Sequence, residues 1–157
     1  MRLDQVARLT LNTNPRWLRV CDIKRPRTGL EVKFSYAWLA GLTLRGDETG
    51  DEGIYADALA SDPALADFAQ RVEVTGDQSL TDMQVTGTLH LQDGSQIPLH
   101  HDLDTPMSEE ILSQRLQAKA KAMLDKNSTA LWAMADTFDT CSARTLGAHL
   151  GATSTSS

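Results

Sequence analysis

Apolar and polar positions alternate at the start of the chain and then change rhythm. Ala7, Leu9 and Leu11 take turns with Arg8 and Thr10, a period of two that predicts a strand with one buried face. The run from Asn12 to Pro15 breaks it. Trp17, Leu18 and Val20 follow in a basic stretch with neither rhythm, expected to be an irregular segment tucked against the core. From Leu30 to Leu44 the rhythm becomes helical. At about 100° per residue, Leu30, Phe34, Ala37, Trp38, Gly41 and Leu42 share one face. Thr28 as N-cap with Glu31 three residues later is the capping-box arrangement that starts such a helix. A polar loop from Arg45 to Gly53 and a short helix near Ile54 to Leu59 come next. Asp62 followed by Pro63 is a helix start, and Leu65, Phe68 and Ala69 form that helix's stripe.

Arg71 to Val74 reads as a short strand. The clearest strand comes after it, where Met83, Val85, Gly87, Leu89 and Leu91 alternate with Gln84, Thr86, Thr88 and His90. A turn at Asp93 and Gly94 sends the chain back from Gln96 to Leu99 as a hairpin. Composition shifts after Pro106. Ser108 caps a helix with an acidic first turn, Glu109 and Glu110, and an apolar face of Leu112, Leu116, Ala120, Met123 and Leu124. Asn127 or Ser128 caps a second helix with Leu131, Met134, Ala135 and Phe138 inward. The predicted class is α+β: a small antiparallel sheet with helices packed on one face, followed by a C-terminal helical hairpin. The expected organisation is an α+β domain over 1–104, helices over 105–150 and a disordered tail over 151–157, whose GATSTSS sequence is too poor in apolar residues to order itself.

A chain of 157 residues fits one domain, or a domain with an appendage, and its 41% apolar content can supply a core. No run of about 18 apolar residues predicts a membrane span, and the N-terminus has no apolar signal region. Cys21 and Cys141 lack CxxC or histidine spacing and read as reduced thiols of a cytoplasmic protein. The net charge of −6 argues against nucleic acid as partner. Charge is unevenly placed, however. Arg16, Arg19, Lys24, Arg25, Arg27 and Lys33 crowd one segment, while acids dominate from Asp47 to Asp67. A basic patch on an acidic chain suits small polyanions such as di- or tricarboxylates. A solvated loop with no ligand fits the same composition.

Within that patch, Lys33 and Tyr36 project about 60° apart at the edge of the apolar stripe. An ammonium and a phenol so placed can meet an anionic ligand. They can equally be a solvated lysine and a half-buried tyrosine. His100, His101 and Asp102 form a second cluster, but adjacent histidines on a strand point to opposite faces and cannot easily share one metal. A small α+β enzyme using His101 and Asp102 is one reading of that cluster. No zinc motif, phosphate loop, nucleophile elbow or paired-carboxylate motif is present.

The stretch from Pro26, PRTGLEVKFSY, resembles the P-x-T-G-L-E-A-K-F-S-Y signature of the MmgE/PrpD family, whose members include 2-methylcitrate dehydratase, cis-aconitate decarboxylase and iminodisuccinate epimerase. The resemblance continues through Asp62, Pro63 and Ala64, the Arg71 to Val74 segment, the Asp93–Gly94 turn, and the helix start at Pro106, Ser108, Glu110 and Leu112. It covers roughly residues 1–140. It implies an α+β lid domain followed by helices that return to a large helical domain, with the active site between the two. The essential Asp, His and Lys residues of such enzymes belong to the helical domain, and no residue of this chain matches them. In this resemblance Lys33 would pair with a substrate carboxylate and Tyr36 would donate a catalytic hydrogen bond. Arg25 and Arg27 would complement substrate charge, and Ser35 would be structural. Family members work without metal or organic cofactor. The expected function is therefore the C-terminal portion of a lyase or isomerase acting on a di- or tricarboxylate, dehydratase-like, silent without its helical domain. The alternative is a stand-alone, non-catalytic binding or dimerisation module that keeps the lid fold. The expected partners are a homodimer mate or a separate helical domain, with no nucleic acid and no membrane.

Overall fold

The computed structural model describes residues 2–124, 128–135 and 137–152. Its contacts divide into two units, residues 1–106 and 107–157.

The first unit is built on a sheet whose described strands are β1 (Val6–Thr13), β2 (Val72–Gly76), β3 (Gln84–Leu91) and β4 (Gln96–Asp102), in the order β2-β1-β3-β4. The predicted alternation sets the register: Leu9 lies opposite Leu89, and Leu89 opposite Ile97. A bulge between Val6 and Arg8 slips the period, so that Val6 and Leu9, three residues apart, are both buried. The β1–β3 and β3–β4 pairs are antiparallel, as expected. The short strand β2 runs parallel to β1, making the sheet mixed though mostly antiparallel. The helical crossover between β1 and β2 brings the chain back in the same direction, which a tight hairpin cannot do. The β3–β4 turn closes at Gly94 (φ 85°), with Leu91 N–H donating to the Ser95 carbonyl at 2.9 Å. The edge strand β4 carries Pro98 and leaves Ile97 and Leu99 exposed.

Four helices lie in the crossover: α1 (Pro15–Cys21), α2 (Gly29–Lys33), α3 (Tyr36–Arg45) and α4 (Pro63–Ala69). Two expectations are corrected here. The basic segment at Trp17 is helix α1, not irregular chain: Asn14 caps it, accepting from Arg16 N–H at 3.1 Å, and Pro15 sits in its first turn. Its Val20 points outward. The single helix expected from Leu30 to Leu44 is two helices. Ser35 adopts an extended conformation between them and caps α3 by accepting from Trp38 N–H. With the axis interrupted, Leu30 and Phe34 leave the stripe and are exposed, while Ala37, Trp38, Gly41 and Leu42 remain buried. The short helix expected near Ile54 is a pair of 3-10 turns, Glu52–Ile54 and Asp57–Ser61. The Asp62 cap of α4 forms as predicted, accepting from the N–H groups of Ala64 and Leu65.

Helices α3 and α4 cover one side of the core. Val32, Ala37, Trp38, Leu42 and Leu65 form one buried cluster, and Val6, Leu9, Phe68 and Leu89 form another against the sheet. Gly41 permits the α3–α4 approach, because a Cβ there would stand 2.8 Å from Leu65 Cδ2 and 3.0 Å from Phe68 Cδ1.

In the second unit, α5 (Glu109–Leu124) begins as expected, with Ser108 Oγ accepting from Ile111 N–H at 3.3 Å. Leu112, Leu116, Met123 and Leu124 of its apolar face are exposed. Helix α6 (Ser128–Ala135) pairs with α5 as a hairpin, with Leu131 and Met134 half-buried. Asn127 lies outside the described residues. Phe138, expected to face inward, is 60% exposed, because α6 stops short of it and a 3-10 turn begins. A further helix, α7 (Ala143–Ala152), continues the helices expected over 105–150 and runs two residues into the tail expected to be disordered from 151, of which 153–157 lie outside the described residues. Among the described residues no helix is long and apolar enough to cross a membrane.

Candidate functional site

Tyr36 stands where the end of β1, the end of α1 and the start of α3 converge. The local sequence enforces this: Asp22 and Ser35 form an isolated bridge, and Ile23 N–H donates to the Phe34 carbonyl at 3.1 Å. The loop after α1 is thereby stitched to the break before α3. The Tyr36 hydroxyl lies 3.4 Å from Oγ1 of Thr13, which is buried at the end of β1. Burial pushes the phenol's pKa up, the Thr13 hydrogen bond partly offsets this, and the charges of Cys21 and Asp22 push it further up. The phenol therefore stays protonated and able to donate. Cys21 is a free thiol whose pKa burial also raises, and Asp22 pairs with Lys24 Nζ at 2.7 Å.

Lys33 ends α2 and is held by other partners. Its ammonium lies 3.3 Å from Glu52 Oε1 and 4.7 Å from the centroid of the Tyr55 ring. The 49–57 segment is itself tied down. Tyr55 donates its hydroxyl to the Thr49 carbonyl at 2.8 Å, and Gly29 N–H donates to Asp57 at 2.9 Å. Gly29 has no room for a side chain, since a Cβ there would fall 1.7 Å from the Tyr55 carbonyl oxygen. Lys33 and Tyr36 thus sit on two helices instead of one, and their tips are held by Glu52 and Thr13 respectively. Only Phe34 and Ser35 lie between them, so their Cα atoms, three steps along the chain, are no more than about 11 Å apart.

The arginines divide. Arg27 is spent locally: its backbone N–H donates to Glu31 Oε2 at 2.7 Å and its guanidinium to Oε1 at 3.4 Å. These contacts, the backbone one foremost, hold the Glu31 carboxyl below its usual range. Arg25 is exposed and has no hydrogen-bonded or ionic partner among the described residues. With Lys24, Ala37, Trp38, Ala66 and Gln70 it lines an open cleft of ≈ 570 Å³. Trp38, buried beside that cleft, has an indole Nε1 with no acceptor among the described residues. Ser35 is structural, as its capping bond shows.

His100 and His101 are exposed on β4, and Asp102 accepts from Gln84 and from Asp104 N–H. Among the described residues no group of three His, Cys, Asp or Glu side chains could hold a metal. The residues that sequence reasoning missed are Thr13, Glu52 and Tyr55. Thr13 carries no motif. Glu52 and Tyr55 lay inside a stretch read only as polar loop and short helix, and their relevance depends on the fold bringing them to Lys33.

The MmgE/PrpD C-terminal domain matches the chain over residues 1–139. This chain belongs to the MmgE/PrpD family. No curated protein matches it. As an MmgE/PrpD C-terminal domain it contains both Lys33 and Tyr36 within the matched span, together with the whole of the first unit, α5 and α6.

Proposed function

We propose that the chain forms the lid side of an MmgE/PrpD-type active site that acts on a di- or tricarboxylate, as a dehydratase-like lyase or an isomerase. The observation that carries this reading is the family match across residues 1–139. Lys33 pairs with a substrate carboxylate. Tyr36, kept protonated by its surroundings, donates to the leaving group or the developing enolate. Arg25, which has no partner among the described residues, adds attraction for the anion, and Arg27 contributes less because Glu31 already holds it. The base that removes the proton next to the carboxylate comes from a helical domain outside these 157 residues. The two free cysteines fit a reducing, cytoplasmic setting.

The test is turnover of hydroxy- and unsaturated tricarboxylates with and without a co-expressed helical domain. Activity should require both parts. Lys33→Ala should then lower kcat/KM by about 2 kcal/mol or more, the low end for breaking a desolvated charge pair. Unchanged rates would remove Lys33 from the site.

A second reading, a non-catalytic assembly module, is favoured by one observation: Leu112, Leu116, Met123 and Leu124 of α5 are all exposed. It predicts a homodimer that buries this face, and a monomeric mass by size exclusion with light scattering would exclude it.

A further inference from the structure

We propose that Glu52 is a built-in stand-in for the substrate carboxylate, a displaceable plug that occupies the Lys33 ammonium until an anionic ligand takes its place. This rests on the reading of Lys33 given above and adds a regulation of the same site. Three observations carry it. First, the pair is asymmetric: Lys33 is 30% exposed whereas Glu52 is 74% exposed. The lysine is the fixed partner, at the end of α2 with the Tyr55 ring against its ammonium, and the glutamate is the one free to swing into water. Second, the segment bearing Glu52 is anchored on both sides of it. Asp51 Oδ1 accepts from Gly53 N–H at 2.8 Å, the Tyr55 hydroxyl bonds the Thr49 carbonyl, and the Tyr55 backbone presses on Gly29. Only the Glu52 side chain need move to uncover the cation. Third, Glu52 offers Lys33 the same chemistry, one carboxylate oxygen at 3.3 Å, that a di- or tricarboxylate would bring. Because an exposed ion pair contributes little, the plug is weak by construction. It keeps the ammonium oriented over the ring in the free protein yet yields to a ligand that carries two or three carboxylates. Arg25, with no partner among the described residues, has no comparable plug.

The experiment is site-resolved reductive methylation of the full chain, read by mass spectrometry, with citrate as the competing anion and Lys119 on α5 as internal reference. Glu52→Gln keeps the size and removes the charge at an exposed position, so the variant's melting temperature should match the parent's. Citrate should protect Lys33 in the parent. In Glu52→Gln half-protection should come at about two- to fivefold lower citrate, the range that loss of one exposed ion pair supports. Equal half-protection in the two proteins would overturn the plug while leaving Lys33 as an anion site. Absence of protection in both would overturn the reading of Lys33 itself, and the plug with it.

Discussion

Tyr36 combines a reactive group with a surrounding that fixes its protonation state. The only hydrogen bond of its hydroxyl among the described residues is the 3.4 Å contact to Thr13, which is long and contributes little to the fold. Tyr36→Phe should therefore leave the melting temperature nearly unchanged. In the assembly proposed above it should cut kcat by about 10²-fold, as removal of one positioned donor does, and parallel melts and steady-state kinetics separate the two effects. Asp62 shows the opposite balance. Burial works to raise its pKa, but the Arg45 side chain and the N–H groups of Leu65 and Ala64 outweigh burial and hold the carboxyl below its usual range. A carboxyl depressed on folding adds stability that is fully present above the unfolded value of about 3.9. That stability is lost as pH falls through the lower folded value. Asn still caps a helix but carries no charge. The stability gap between the parent and Asp62→Asn should therefore shrink as pH drops below about 4, as acid-denaturation curves would show.

At the scale of elements, the break between α2 and α3 sets the geometry around the site. Ser35 is 1% exposed and its hydroxyl caps α3. Ser35→Ala should cost about 1 kcal/mol, measurable by urea denaturation. Gly41→Val should cost more, in the range of about 1–3 kcal/mol for an overpacked core, because Leu65 and Phe68 leave no room. Local chemistry made the helix starts readable: Thr28, Asp62 and Ser108 all cap where their sequence context says they should. The break at Ser35 was not readable as such, because Leu30 and Phe34 continue a helical rhythm that the chain does not follow once Ser35 turns extended. Asn14 and Pro15 ended a strand and started a helix at once, and only the first role stood out. The candidate site shares this limit. Lys33 and Tyr36 were visible in their motif, but Glu52, Tyr55 and Thr13 reach them only through the fold.

At the scale of the molecule, both buried clusters draw only on residues of the first unit, and their members lie between Leu3 and Leu91. A chain ending at residue 106 should melt cooperatively by circular dichroism. The parallel placement of β2 belongs to this scale as well. Its sequence announces a strand, but the choice of β1 as neighbour is decided by the crossover helices between them.

The outer strand β4 has a further consequence. One of its rims lies open beyond β3, on a strand that also leaves Ile97 and Leu99 exposed, and such a rim is a template on which another copy's backbone can stack. Pro98 withholds an amide in the middle of that rim. Pro98→Thr would restore the missing donor and raise the tendency of copies to pair edge to edge.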